Sequence, residues 1–198
     1  MPVVKCICGL GNPEKEYAKT RHNVGFMALD ALADRWGLFF VAGKGDFFYA
    51  KGELENYGTI SLLKPTTYMN NSGIALLDFS QKESIRPGEF LVILDDFSLP
   101  FGSIRIRLSG SSGGHRGLES IILALGTEDI PRLRIGIGTL ESSSDPVSFV
   151  LSPFTDKEMK EIPNILNLVC EAIEEILDNG FEQAMNKYNR TKKEVENA

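Results

Sequence analysis

Apolar residues run together at 3–8 and again from Phe90 to Leu94, the pattern of short strands covered on both faces of a sheet. Gly9-Leu10-Gly11-Asn12-Pro13 breaks the first of these into a loop. Beyond it, Val24, Phe26, Met27, Leu29, Ala31, Leu32 and Trp36 recur at helical spacing with Gly37 as a stop, which predicts a helix over 22–36. Residues 46–51 and 57–64 read as strands, 65–73 as a polar loop and 74–83 as a helix. Residues 103–108 alternate aliphatic with polar side chains, as does 132–137, so each is a strand with one polar face. Between them come a glycine-serine loop, 109–114, and a helix, 118–125. Met159, Ile162, Leu166, Val169, Ile173 and Leu177 then mark a helix over 156–178 that Asn179-Gly180 should end. Helices alternating with strands make the fold class α/β: a twisted mixed β-sheet flanked by helices. No repeat or composition break divides the chain, so a single domain is expected over 1–189, with a polar, frayed tail at 190–198.

Composition narrows the class without naming a function. A chain of 198 residues, 42% hydrophobic and 24% charged, can bury its own core, which excludes wholesale disorder, collagen and coiled coil. Apolar runs fall short of the ~18 residues of a membrane span, and the start lacks the features of a signal peptide, so the expected compartment is the cytoplasm. Cys6, Cys8 and Cys170 are an odd set, two of them close along one strand, and read as core residues. His22 and His115 each stand beside an arginine with no third or fourth soft ligand in the pattern, so no structural metal is expected. The net charge of −6 argues against non-specific coating of nucleic acid but leaves room for a local basic face.

Several short patterns offer chemistry. Gly9-x-Gly11 fails the dinucleotide fingerprint because Glu14 occupies the third glycine position. Gly110-Ser111-Ser112-Gly113-Gly114 matches a nucleophile elbow in letters, yet no histidine lies beyond His115, where that fold requires one; a flexible loop is the better reading. His22 enters helix 22–36, where a helix N-terminus favours a neutral imidazole suited to general-base work. Asp95, at the end of the central apolar strand, stands where open α/β sheets place functional groups and could orient such a base. Asn12 and Asn70 end strand-to-loop passages and can join the same crevice, although by spacing alone an ordinary turn residue is the better reading of each. Arg105 with Arg107, and Arg132 with Arg134, form two arginine faces that would bind phosphate if their strands are neighbours; a solvated face paired with Glu128 and Asp129 is as good a reading from spacing.

Taken together, Gly9-Leu10-Gly11-Asn12-Pro13, Tyr17, Thr20-Arg21-His22-Asn23-Val24-Gly25, Lys64-Pro65-Thr66-Thr67-Tyr68-Met69-Asn70, Asp95-Asp96, Leu99-Pro100, Gly113-Gly114-His115 and Arg134-Ile135-Gly136-Ile137-Gly138 closely resemble the bacterial peptidyl-tRNA hydrolase family, in order and over about 3–188. The resemblance implies a monomeric esterase, without cofactor or metal and without an obligate protein partner or membrane. It would cleave the ester between a peptide and the 3'-terminal ribose of tRNA. Carried over by position, His22 would activate water and Asp95 would orient His22. Asn12 and Asn70, with Tyr17 and Tyr68, would hold peptide and 3' end, and Arg107 and Arg134 would clamp the tRNA 5' phosphate. Two positions depart from the family pattern. Arg116 replaces the usual asparagine after Gly-Gly-His and is carried over only as a substrate-binding residue, since arginine cannot accept a hydrogen bond. Ser98 replaces a common second acid after Asp95-Asp96. The alternative function is a catalytically impaired, hydrolase-like RNA-binding protein.

Overall fold

The computed structural model describes residues 3–140 and 145–189, so the tail expected at 190–198 lies outside the described residues. Among the described residues seven strands form one sheet: β1 (Cys6–Gly9), β2 (Val41–Ala42), β3 (Phe47–Leu54), β4 (Gly58–Pro65), β5 (Phe90–Asp96), β6 (Ile104–Arg107) and β7 (Arg132–Gly136), in the spatial order β2-β3-β4-β1-β5-β7-β6. The middle four, β4, β1, β5 and β7, are parallel, while β3 and β6 pair antiparallel with β4 and β7 at the two sides and β2 pairs antiparallel with β3. Chain order reverses around β1, which pairs with β4 on one side and β5 on the other. Open α/β sheets form their binding crevice beyond the strand ends at such a reversal.

Alternation along the strands sorts the core into two layers. Ile7, Leu91, Ile93, Leu133 and Ile135 face α1 (Val24–Trp36) and α5 (Asp156–Tyr188), whereas Cys6, Cys8, Val92 and Leu94 face α2 (Ser72–Glu83) and α3 (Arg116–Leu125). The cysteines are free and buried, as expected of core residues, and burial raises the thiol pKa of each. Among the described residues no helix is long and apolar enough to cross a membrane.

Helix α1 is pressed hard against the sheet. An added Cβ at Gly25 would lie 2.6 Å from both the Ile93 and Leu10 carbonyl oxygens, and one at Gly9 would lie 2.4 Å from the Gly25 carbonyl oxygen. Only glycine at both positions permits this approach, and it brings the residues just ahead of α1 against the end of β5.

Four details differ from the sequence expectations. The first helix begins as a separate 3-10 turn, Arg21–Asn23, before α1 proper. The strand at Phe90 continues two residues further, through Asp95 and Asp96, because backbone pairing with Ile135 and Gly136 carries it past the apolar stretch. Asn179-Gly180 interrupts α5 without ending it: Gly180 has φ 84 and ψ 168, and helix resumes to Tyr188, driven by burial of Phe181 and Ala184. Helix α4 (Pro146–Leu151) and the short β2 lack sequence periodicity and were not foreseen.

Candidate active site

Two histidines meet one carboxylate at the carboxyl end of β5. Nδ1 of His22 lies 2.7 Å from Oδ1 of Asp95, and Nε2 of His115 lies 3.0 Å from the same oxygen. They arrive from opposite sides of the sheet: His22 from the 3-10 turn ahead of α1, His115 from the N-cap of α3. The ring centroids are 5.1 Å apart. The sequence pattern offered no third ligand beside the two histidines, and the fold supplies a carboxylate: His22, Asp95 and His115 form a cluster of metal-ligand composition, with one ligand atom of each within 4.8 Å of the others. Here the two imidazole nitrogens are spent on hydrogen bonds to Asp95.

Protonation follows from the neighbours. Nδ1 of His115 accepts the Leu118 backbone N–H at 3.2 Å, so the ring hydrogen sits on Nε2 and is donated to Asp95. On His22, Nδ1 is the donor to Asp95, which leaves the Nε2 lone pair free. Burial alone would raise the Asp95 pKa, but the adjacent imidazoles, by electrostatic attraction of their N–H dipoles and by hydrogen bonding, outweigh it and hold the carboxyl well below the ordinary carboxylate range. Asp95 is therefore a permanent anion across the physiological range.

His115 was missed in the sequence as a site residue. Its signal was the position of Gly113-Gly114-His115 at a helix start, which reads equally as an N-cap; in the structure it is both cap and Asp95 partner. The two roles can be separated, because asparagine is a good N-cap but its shorter side chain does not span the distance to Asp95. His115→Asn is expected to keep its melting temperature within a few degrees while kcat falls about tenfold, the order of effect of loosening a group that orients a catalytic base. Steady-state kinetics beside thermal unfolding check it; unchanged kcat would reduce His115 to a cap.

Around this cluster opens a cavity of about 640 Å³. Asn12, Tyr17, Tyr68, Asn70 and Arg116 all border it with His22 and Asp95, so seven of the nine expected site residues converge. Asn12 is buried, and its orientation is fixed: its Oδ1 accepts the Met69 N–H at 3.0 Å, while Asn23 brackets its backbone with two hydrogen bonds of 2.9 and 2.8 Å. With the oxygen so engaged, the Nδ2 hydrogens remain as donors. Asn70, Tyr68 and Arg116 are exposed at the rim, and Tyr17 is half-buried. Pro146, Val147, Val150 and Leu151 of α4 supply an apolar wall that sequence reading did not anticipate.

The other two expected residues, Arg107 and Arg134, lie apart from that cavity on the sheet face of β6 and β7. The register pairs Arg105 with Arg134 and Arg107 with Arg132, so all four guanidinium side chains share one face. Their roles differ. Arg132 is buried and donates to the carbonyl oxygens of Gly110, Ser111, Glu128 and Ile130, pinning the glycine-serine loop. Arg134 is paired with Asp96 at 2.5 Å, so the acid on this face is Asp96 and not the expected carboxylates of Glu128 or Asp129. Arg107 is exposed and Arg105 half-buried, and among the described residues neither has an ion-pair partner. Ser98 ties down the turn after β5, donating its backbone N–H and hydroxyl to Asp96 Oδ1 at 2.8 and 2.6 Å. Ser112 lies beside a smaller cavity with Arg134, and its Oγ accepts the Gly114 N–H at 3.3 Å, an ordinary loop contact.

An open α/β sheet with a buried imidazole–carboxylate pair where its strand ends meet a cleft has the make-up of an enzyme of the acid–base class. The particular family follows from comparison. A family model described as peptidyl-tRNA hydrolase matches residues 6–196. The peptidyl-tRNA hydrolase of Thermodesulfovibrio yellowstonii is 46% identical over 186 residues, covering 93% of this chain and 98% of that one. That of Aquifex aeolicus is 43% identical over 191 residues, covering 94% and 97%. The crystal structure of the peptidyl-tRNA hydrolase from Acinetobacter baumannii superposes with a TM-score of 0.89 at 33% identity, covering 97% of each chain. The chain belongs to the peptidyl-tRNA hydrolase family.

Proposed function

We propose that a single copy of this chain hydrolyses the ester joining a peptide, or an N-acylated amino acid, to the 3'-terminal ribose of tRNA, with His22 as general base. The observation that carries the reading is the His22–Asp95 pair at the cavity floor, which leaves Nε2 of His22 as a free base. Nε2 takes a proton from a water as that water attacks the ester carbonyl carbon. The imidazolium so formed is stabilised by the Asp95 carboxylate. Charge developing on the carbonyl oxygen is met by the Asn12 amide, whose hydrogens are held ready because its oxygen is engaged with Met69. When the tetrahedral intermediate collapses, the imidazolium returns its proton to the departing ribose oxygen, giving a free peptide acid and tRNA.

Asn70, Tyr17 and Tyr68 would grip the peptide main chain and the 3' end, with Arg116 a cation at the rim. An amide-recognising site disfavours a charged α-ammonium that it cannot pair. Release of the amino acid from N-acetylated aminoacyl-tRNA, compared with the unacetylated form, therefore tests the function. Selective cleavage supports it; tRNA binding without cleavage by the folded protein would instead identify an impaired, RNA-binding relative.

For the acceptor stem we propose the arginine face, with Arg107 as its freer member and Arg134 sharing its charge with Asp96. Arg107→Ala is expected to raise KM for the tRNA substrate roughly five- to tenfold at low salt, with the difference shrinking as salt rises. A minimal ester without the stem should be cleaved at the wild-type rate. Equal losses on both substrates would remove Arg107 from tRNA binding.

A further inference from the structure

The 3-10 turn that carries His22 also carries Arg21, which is not among the residues lining the cavity and whose side chain is only 8% exposed. Its guanidinium is used on several sides at once. Nη2 donates to both carboxylate oxygens of Glu158, at 3.0 and 2.7 Å. Nη1 donates to Ser152 Oγ at 3.2 Å and to the Pro153 carbonyl oxygen. The group also lies over the rings of Phe149, 4.9 Å from the centroid, and Phe154, at 5.2 Å. Backbone bonds run alongside, from Arg21 N–H to the Ser152 carbonyl and from Phe154 N–H to the Lys19 carbonyl.

Every one of these partners falls within 149–158: the last turn of α4, the link after it and the first turn of α5. The same helix α4 provides Pro146, Val147, Val150 and Leu151, the apolar wall of the cavity. One side chain thus fastens that wall to the turn holding the base. Stability alone gives little reason for an arginine here. Nε is buried with no hydrogen-bond partner among the described residues, and a buried ion pair is commonly matched or bettered by an apolar side chain of similar volume. What the guanidinium offers in addition is direction: a planar fork that fixes three groups in one geometry.

We propose that Arg21 is a positioning residue that sets the α4 wall at a fixed distance from His22 and so determines how tightly substrate is held, a role that rests on the ester-hydrolase reading above. Lysine keeps the charge but cannot span Glu158, Ser152 and Pro153 together or lie flat against two rings. Arg21→Lys is expected to raise KM for N-acetylated aminoacyl-tRNA about tenfold, with kcat within about twofold and the pH profile of kcat unmoved. A purely structural role would act otherwise, since a smaller folded fraction lowers apparent kcat and leaves KM alone. Phe149→Leu, which removes one ring and spares the ion pair, should raise KM in the same direction by about threefold, and it carries the test should Arg21→Lys not fold. Unchanged KM in the folded variants would overturn the proposal. So would a shifted pH profile at constant KM, which would place Arg21 on the base itself. Wild-type protein that fails to cleave the substrate would overturn the hydrolase reading and this role with it, whereas active wild type with unchanged KM in the variants overturns this role alone.

Discussion

His22→Ala is expected to lower kcat on N-acetylated aminoacyl-tRNA on the order of a thousandfold, within the range that a positioned general base supplies. The reason is specific to the geometry. Asp95 is a permanent anion deeper in the floor, and His115 has one nitrogen capping α3 and the other donating to Asp95. Among the described residues bordering the cavity, only His22 is left with an unengaged basic nitrogen. Substrate affinity should hold, because Asn12, Tyr17 and the rim residues Tyr68, Asn70 and Arg116 are untouched. Rapid-quench turnover beside a tRNA binding measurement checks both halves. Activity within tenfold of wild type would mean that another group activates the water.

The polar side chains of this site were legible in the sequence to the degree that each sits at an element boundary. His22 stands where an apolar pattern starts, and Asp95, Asn12 and Asn70 follow strands whose apolar pattern has stopped; such boundaries can be read from periodicity. Their convergence could not be read that way, since it depends on the order of strands around β1 and on the close approach of Gly25 to Gly9. His115 shows the limit most clearly. An N-cap histidine and a carboxylate-orienting histidine look identical in one dimension, and here one ring does both through its two nitrogens. Helix α4 was invisible for another reason: six residues are too few for a helical period, and its conformation comes from the Asp145 N-cap and from packing.

The arginines carry a related lesson. Alternation placed Arg105, Arg107, Arg132 and Arg134 on strand faces, and the observed register puts all four on the same one. Sequence could not divide their labour, because that division follows burial: Arg132 is enclosed and satisfied by backbone carbonyls, while Arg107 at the open edge is exposed, with no ion-pair partner among the described residues.

Asp95→Asn should cost kcat about a hundredfold or more without unfolding the protein, and the loss should vanish in a variant that already lacks His22. An asparagine side chain fills the same space, so packing around β5 is preserved. It carries no charge, however, and cannot stabilise the imidazolium that forms as His22 takes the water proton. Its amide can also turn the wrong way. If Nδ2 faces Nδ1 of His22, the ring must move its hydrogen to Nε2, and the lone pair that should take the proton from water is lost. His115 opposes this flip, since its Nε2–H needs an acceptor at the same place, so the variant retains a fraction of productive rings. The double-mutant cycle isolates the argument: with alanine at 22 there is no ring left to orient, and Asp95→Asn should change the residual rate by less than about threefold. Full additivity of the two losses would mean that Asp95 acts on substrate or water directly and not through His22.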